Sequence, residues 1–213
     1  MTATPAQVAE AQVHEQEKQR VLGFLPDFYT SYLWTATPLT AKLKFQLEYR
    51  SIIDPVTFVV SAGLAGVEQK HNSFPGYGRG PEGYAKRFGA AYADIMSNRM
   101  ISRAILPTLF HQDPRYFYHG SGSVRSRVLY AIEASIVTRG DNGRLQPNYS
   151  QIVGAFAAAG LSNVYRAPSD RQVALTLRNG LIIMGTATVE NVMREFLSRK
   201  LTPHVPTFAN GKP

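Results

Sequence analysis

Nowhere along this chain do apolar and polar residues alternate for long enough to line one face of a strand. Apolar side chains instead return every three or four residues through most of its length. Helices are therefore the elements able to bury them, and the pattern predicts an all-α fold, a single domain of about six helices. Thr40 can cap a helix running through Ser51, with Leu43, Leu47 and Arg50 on one face and Lys42 and Lys44 turned outward. Asp54 before Pro55 is an acidic cap followed by a residue preset for the first helical position, which starts a second helix over Val56 to Gln69. The stretch from His71 to Gly83 is glycine- and proline-rich and reads as a loop. Tyr84 to Leu109 returns to helix, bent near Pro107, where the ring removes one backbone donor and crowds the preceding turn. Ser123 to Thr138, Ser150 to Tyr165 and Asp170 to Lys200 complete the set. Gly140-Asp141-Asn142-Gly143 marks a turn, Asp170 is placed to cap the last helix, and Glu190 with Arg194 and Glu195 with Arg199 are spaced to pair along it.

Small residues one turn apart (Ala62 and Gly66, Gly89 and Ala93, Gly154 and Ala158, Ala155 and Ala159) predict helices packed closely through Gly/Ala faces. The apolar stretches Val56–Val67 and Ile152–Tyr165 are 12 and 14 residues long, short of the roughly 20 that cross a bilayer. Peripheral or partial insertion stays open. Three regions follow from this reading. Residues 1–20 form a polar leader, disordered or a solvated helix with little to bury; 21–202 form the helical domain, beginning with an aromatic stretch from Leu22 to Trp34; 203–213 form an irregular tail.

The charge balance, 23 Lys+Arg against 15 Asp+Glu for a net +8, favours anionic partners. The absence of cysteine removes disulfides, thiolate metal sites and a cysteine nucleophile together. Thr2 to Arg20 contains no apolar signal core, so the chain is expected in the cell envelope (periplasm or outer membrane) if a signal peptide has been trimmed, and in the cytoplasm otherwise.

The densest cluster of polar functional groups is Leu106 to Gly122, in which two histidines, an acid, an arginine and two tyrosines are held among two prolines and two glycines. Its structural elements are Pro107, His111, Asp113, Pro114, Arg115 and Tyr116. Two uses are open: Asp113 capping a turn at Pro114 while Arg115 pairs with a carboxylate or a helix end, or a metal site drawing on His111, Asp113 and His119 with a further ligand from elsewhere. Arginines Arg99, Arg103, Arg115, Arg125 and Arg127, with Arg139 and Arg144 nearby, form a candidate anion-binding set alongside Tyr116, Phe117, Tyr118 and Tyr130. The Gly78-x-Gly80-x-x-Gly83 spacing follows no strand, contains Pro81 and lacks the acid that binds a ribose, so it serves chain reversal and no nucleotide. Hydrolase and helix-turn-helix signatures are missing, and no cofactor is expected.

Lys86 to Asp94, Ile105 to Phe117, Asn148-Tyr149-Ser150 and Leu161 to Tyr165 together resemble a family of uncharacterised proteins from Acidobacteria and Proteobacteria, over roughly Leu39 to Phe196. The resemblance implies an exported protein and supplies no catalytic residue. The leading expectation is a non-enzymatic helical envelope protein associating with a membrane surface or a larger assembly, with other envelope proteins or a second copy as partners. The alternatives are a metal-assisted hydrolase using His111 and Asp113, and a basic binder of anionic lipid or, less favoured, nucleic acid.

Overall fold

The computed structural model describes residues 4–202, and the expected irregular tail lies outside them. In chain order the elements are α1 (Pro5–Gln16), β1 (Arg20–Val21), β2 (Leu25–Pro26), β3 (Thr30–Ser31), α2 (Ala41–Ile52), α3 (Pro55–Lys70) and α4 (Gly80–Arg99). A π-helical stretch, Met100–Ile105, leads into α5 (Leu106–Leu109), followed by β4 (Tyr116–Phe117), α6 (Val124–Glu133), β5 (Val137–Arg139), β6 (Leu145–Pro147) and α7 (Tyr149–Leu161). α8 (Val173–Met193) passes through a second π stretch, Arg194–Ser198, into α9 (Arg199–Leu201). The fold is all-α: with each π-interrupted run (α4 through α5, α8 through α9) counted once, the described residues form seven helices against about six expected, the additional one being α1.

α1 exists because its ends are satisfied locally. Thr4 and Gln7 form a reciprocal capping box, and Pro5 occupies the first turn. It also has something to bury, contrary to the expectation for residues 1–20: Ala9 and Val13 are fully enclosed by Phe28, Tyr29, Leu39, Leu43 and Leu47. Two small apolar side chains four residues apart make a narrow stripe that a composition argument overlooks.

The caps on α2 and α3 are those the sequence specifies, Thr40 accepting from Leu43 N and Asp54 from Val56 N. The faces are not. Lys44, expected in solvent, is buried, donating to both Asp141 carboxylate oxygens at 2.8 and 2.9 Å and to the Pro107 carbonyl at 3.2 Å. Arg50, expected on the buried face, is exposed and pairs with Glu17 at 3.1 Å. The exchange occurs because a carboxylate 97 positions away supplies the lysine's charge partner.

The small-residue prediction holds on α7, where Gly154, Ala155, Ala158 and Ala159 are buried and a Cβ on Gly154 would stand 2.3 Å from Ser102 Oγ. Gly66 and Gly89 face open space. The glycine-rich loop wraps Arg87, whose fully buried guanidinium donates to Gln69 Oε1 and to the carbonyls of Ser73, Phe74, Gly78 and Gly83. Gly83 packs so near the Gly78 carbonyl that an added Cβ would lie 2.5 Å from it, so the loop reverses the chain around an arginine.

Three two-stranded ladders pin the connections: β1 with β2 antiparallel, β3 with β4 parallel, and β5 with β6 antiparallel. The last is a hairpin closed by Gly140–Gly143 and replaces the end of the helix expected through Thr138. Gln172 stands at the start of α8 in place of Asp170, which accepts from Gly76 N at 3.2 Å. Among the described residues no single helix is long and apolar enough to cross a membrane, whereas α2 and α3, bent by 54°, are so as a pair by length and composition.

Candidate functional site: an arginine-lined pocket under the connector

Pro107 sets the geometry of the Leu106–Gly122 connector. Its ring removes the amide that an α-helix would aim at Arg103, and the helix accommodates this by widening into the π stretch, with Leu106 N reaching back to Ile101 O. Two residues after α5 the chain stops in a left-handed turn. His111 has φ +52°, Phe110 N donates to Leu106 O, and Gln112 N donates to Pro107 O, the five-residue reach of a Schellman closure. The side chain of His111 is exposed. It occupies the position where glycine is the usual residue.

From there the chain turns inward. Gln112 is buried, its Oε1 accepting from Ser150 N and Oγ at 2.9 and 2.6 Å and its Nε2 donating to Pro147 O at 2.7 Å. Asp113 and Arg115 form a bidentate pair out of water: Nη2 meets Oδ2 at 2.6 Å, Nε meets Oδ1 at 2.9 Å, and Nη2 also donates to Thr37 O. The Arg115 amide closes on Asp113 Oδ1 at 3.0 Å, the local turn the sequence offered as one reading of Pro114. β4 then pairs with β3, and Trp34 Nε1 donates to Tyr118 O at 2.8 Å.

The segment ends on Glu195, which the second π turn directs into the interior. Its Oε2 accepts from Tyr116 Oη at 2.7 Å and His119 N at 2.9 Å; its Oε1 accepts from Gly120 N at 2.9 Å and Arg127 Nε at 2.7 Å. Burial, reinforced by Glu195, pushes the Tyr116 hydroxyl well above its ordinary range, so it stays a donor.

His111, Asp113 and His119 are not brought together. His111 faces solvent, Asp113 is committed to Arg115, and His119 stacks on Tyr130 at 4.8 Å between ring centroids. No cluster of three metal-capable side chains occurs among the described residues. The arginines disperse likewise. Arg125 is exposed; Arg127 is tied to Glu195 and lies over the Phe196 ring; Arg99 donates to Ser51 O, Ser51 Oγ and Thr57 Oγ1. Arg103 and Arg115 converge, with Arg139 and Arg194, on a pocket of about 330 Å³ beneath Gln112–Phe117. In the sequence Arg139 is one arginine among several, and the spacing of Arg194 marks it only as a partner for Glu190.

A larger cleft of about 850 Å³, which Arg103 also lines, is walled by residues of α3, α4, α7 and α8, among them Val60, Leu64, Leu175 and Ile182 with Arg99 and Glu190. Burial would raise the Glu190 carboxyl, but Arg103, Arg194 and Arg99 outweigh it and hold it near 2. Comparison with protein-family models, with curated proteins and with solved structures returned no match.

Proposed function

We propose that this protein is a non-enzymatic helical component of the cell envelope that binds the surface of an anionic bilayer through the apolar outer faces of α3 and α8. The carrying observation is an inversion of ordinary polarity. Val59 and Val67 on α3, and Leu177, Leu181 and Val189 on α8, are exposed, while Arg87, Lys44, Glu48 and Glu195 are among the largest fully buried side chains. A monomer in water gains nothing from such faces, whereas a Val or Leu side chain moved into the acyl boundary contributes about 1.5–3 kcal/mol.

At 16 residues α3 is about 24 Å long, suited to lying in the interface. The net charge of +8 supplies attraction to anionic headgroups. Nucleic acid fits less well, because Arg103, Arg115 and Arg127 are turned inward onto carboxylates.

The test is co-flotation of the purified full chain with phosphatidylglycerol-containing vesicles, with light scattering on the lipid-free fraction. Wild type is expected to float, and Val59→Glu with Leu181→Glu, both on exposed positions, to fold normally and stay behind. A wild-type chain that remains in the aqueous fraction, or a doubly substituted one that floats as well, overturns the reading. An oligomer that the two substitutions dissolve without any lipid binding assigns these faces to self-association instead.

A further inference from the structure

We propose that the pocket beneath Gln112–Phe117 binds a small oxyanion of the phosphate class, either inorganic phosphate or a phosphomonoester. This rests on the pocket alone and stands independently of the bilayer reading.

Four guanidinium groups line a space of about 330 Å³. Three have protein carboxylates. Arg115 holds Asp113, and Arg103 and Arg194 share Glu190 Oε2 at 2.7 and 3.3 Å, with Asp27 3.9 Å from Arg194. Arg139 has no ion-pair partner among the described residues. It donates to the Trp34 carbonyl and lies over the rings of Phe117 and Trp34, at 4.4 and 4.8 Å from their centroids. Those rings fix its plane without neutralising it.

The second observation is Arg115 itself. The residue is 3% exposed, and its Nη1 is buried with no hydrogen-bond partner. A guanidinium donor withdrawn from water and left without an acceptor is costly, and an oxyanion oxygen is the acceptor its geometry matches best. Ser135, whose oxygen accepts from Asn191 Nδ2 at 3.3 Å, lines the same space and adds a neutral polar wall.

The volume sets the ligand class. It lies near the lower limit of small-molecule pockets, enough for phosphate carrying a short organic group and too little for a polymer segment. A tetrahedral oxyanion can face more than one guanidinium at once, and Arg115 from the connector and Arg139 from the hairpin line this one space, their segments joined where Asp113 N donates to Arg139 O at 2.8 Å.

The experiment is calorimetric titration and thermal denaturation of the full chain with inorganic phosphate, against sodium chloride at matched ionic strength. Phosphate is expected to raise the melting temperature where chloride does not. Arg139→Gln is expected to weaken binding about ten- to a hundredfold, the range for losing a hydrogen bond to a charged group. Arg125→Gln, on an exposed basic residue outside the pocket, should bind as wild type does. Glycerol phosphate in solution and phosphatidic acid in vesicles separate the two sources: displacement of phosphate by the soluble ester assigns a free ligand, and Arg139-dependent binding to the vesicles alone assigns a headgroup. No phosphate-specific response in any arm, or equal binding by the Arg139 and Arg125 variants, overturns the proposal. Should Arg139→Gln fail to fold, phosphate protection of Arg139 against phenylglyoxal in the wild-type chain decides the matter, and absence of protection refutes it.

Discussion

Glu195 is where a single substitution tests the most of this structure. Its two oxygens receive four donors, two from backbone amides, one from a phenol and one from a guanidinium, and the side chain itself is fully out of water. Glu195→Leu removes the acceptor for all four and leaves Arg127, 17% exposed, with no countercharge in that position. Breaking one side of a buried pair costs about 3–5 kcal/mol, and the stranded amides keep the value at the upper end. Glu195→Gln is more discriminating. Its amide nitrogen must take the place of one oxygen. At Oε1 it would face Gly120 N–H and Arg127, neither of which can accept. At Oε2 it would face His119 N–H, but Tyr116 can rotate its hydroxyl to accept. The second orientation wins, one backbone amide is orphaned, and the loss is about 2 kcal/mol. Tyr116→Phe deletes one donor and leaves three on the carboxylate, for about 1 kcal/mol. Urea denaturation read by circular dichroism should therefore order the variants Leu, Gln, Phe from most to least damaging, with equal slopes. A glutamine variant as stable as wild type, or indistinguishable from the leucine variant, would refute the account of Glu195 as a charged hub.

Two further outcomes follow from local geometry. His111→Gly should raise stability by about 0.5–1 kcal/mol, since φ +52° at a helix end strains any residue with a Cβ; a loss on thermal denaturation would mean the imidazole makes a contact that outweighs the strain. Glu190, held near 2 against an ordinary value of 4.5, stabilises the fold fully above pH 4.5 and loses that contribution as the pH falls toward 2. With 35% of its side chain in water the screened contribution is about 1 kcal/mol, so Glu190→Gln should trail wild type at neutral pH and meet it near pH 2. A gap that does not change with pH would sink that explanation.

What was legible in the sequence was local. Thr40 and Asp54-Pro55 announce helix starts because a cap satisfies amides two or three residues away. Gly140–Gly143 announces a turn for the same reason, although the three-residue strands beside it are too short to show a period. Burial of charge was not legible. Lys44 reads as solvent-facing until Asp141 is placed beside it, and Glu195 reads as a helix-surface partner until a π turn rotates it inward. The connector shows both sides. Its composition marked it as special, and the Asp113–Arg115 turn was one of the readings its spacing allowed. The pocket beneath it needed Arg139 from the hairpin and Arg194 from the π stretch after α8, whose approach no short window records.

The Glu195 network also has a direction in time. Tyr116, His119, Gly120 and Arg127 are synthesised 68 or more residues before their common acceptor. Loop closure over such distances is slow compared with helix formation, so α1 to α7 can be made while the middle of the chain still holds its polar groups in water. Completion of the interior then waits on α8 and the π stretch that carries Glu195. Until it docks, the nascent protein carries a hydrated connector and unlocked hairpin, and it acquires its rigid centre in one late step.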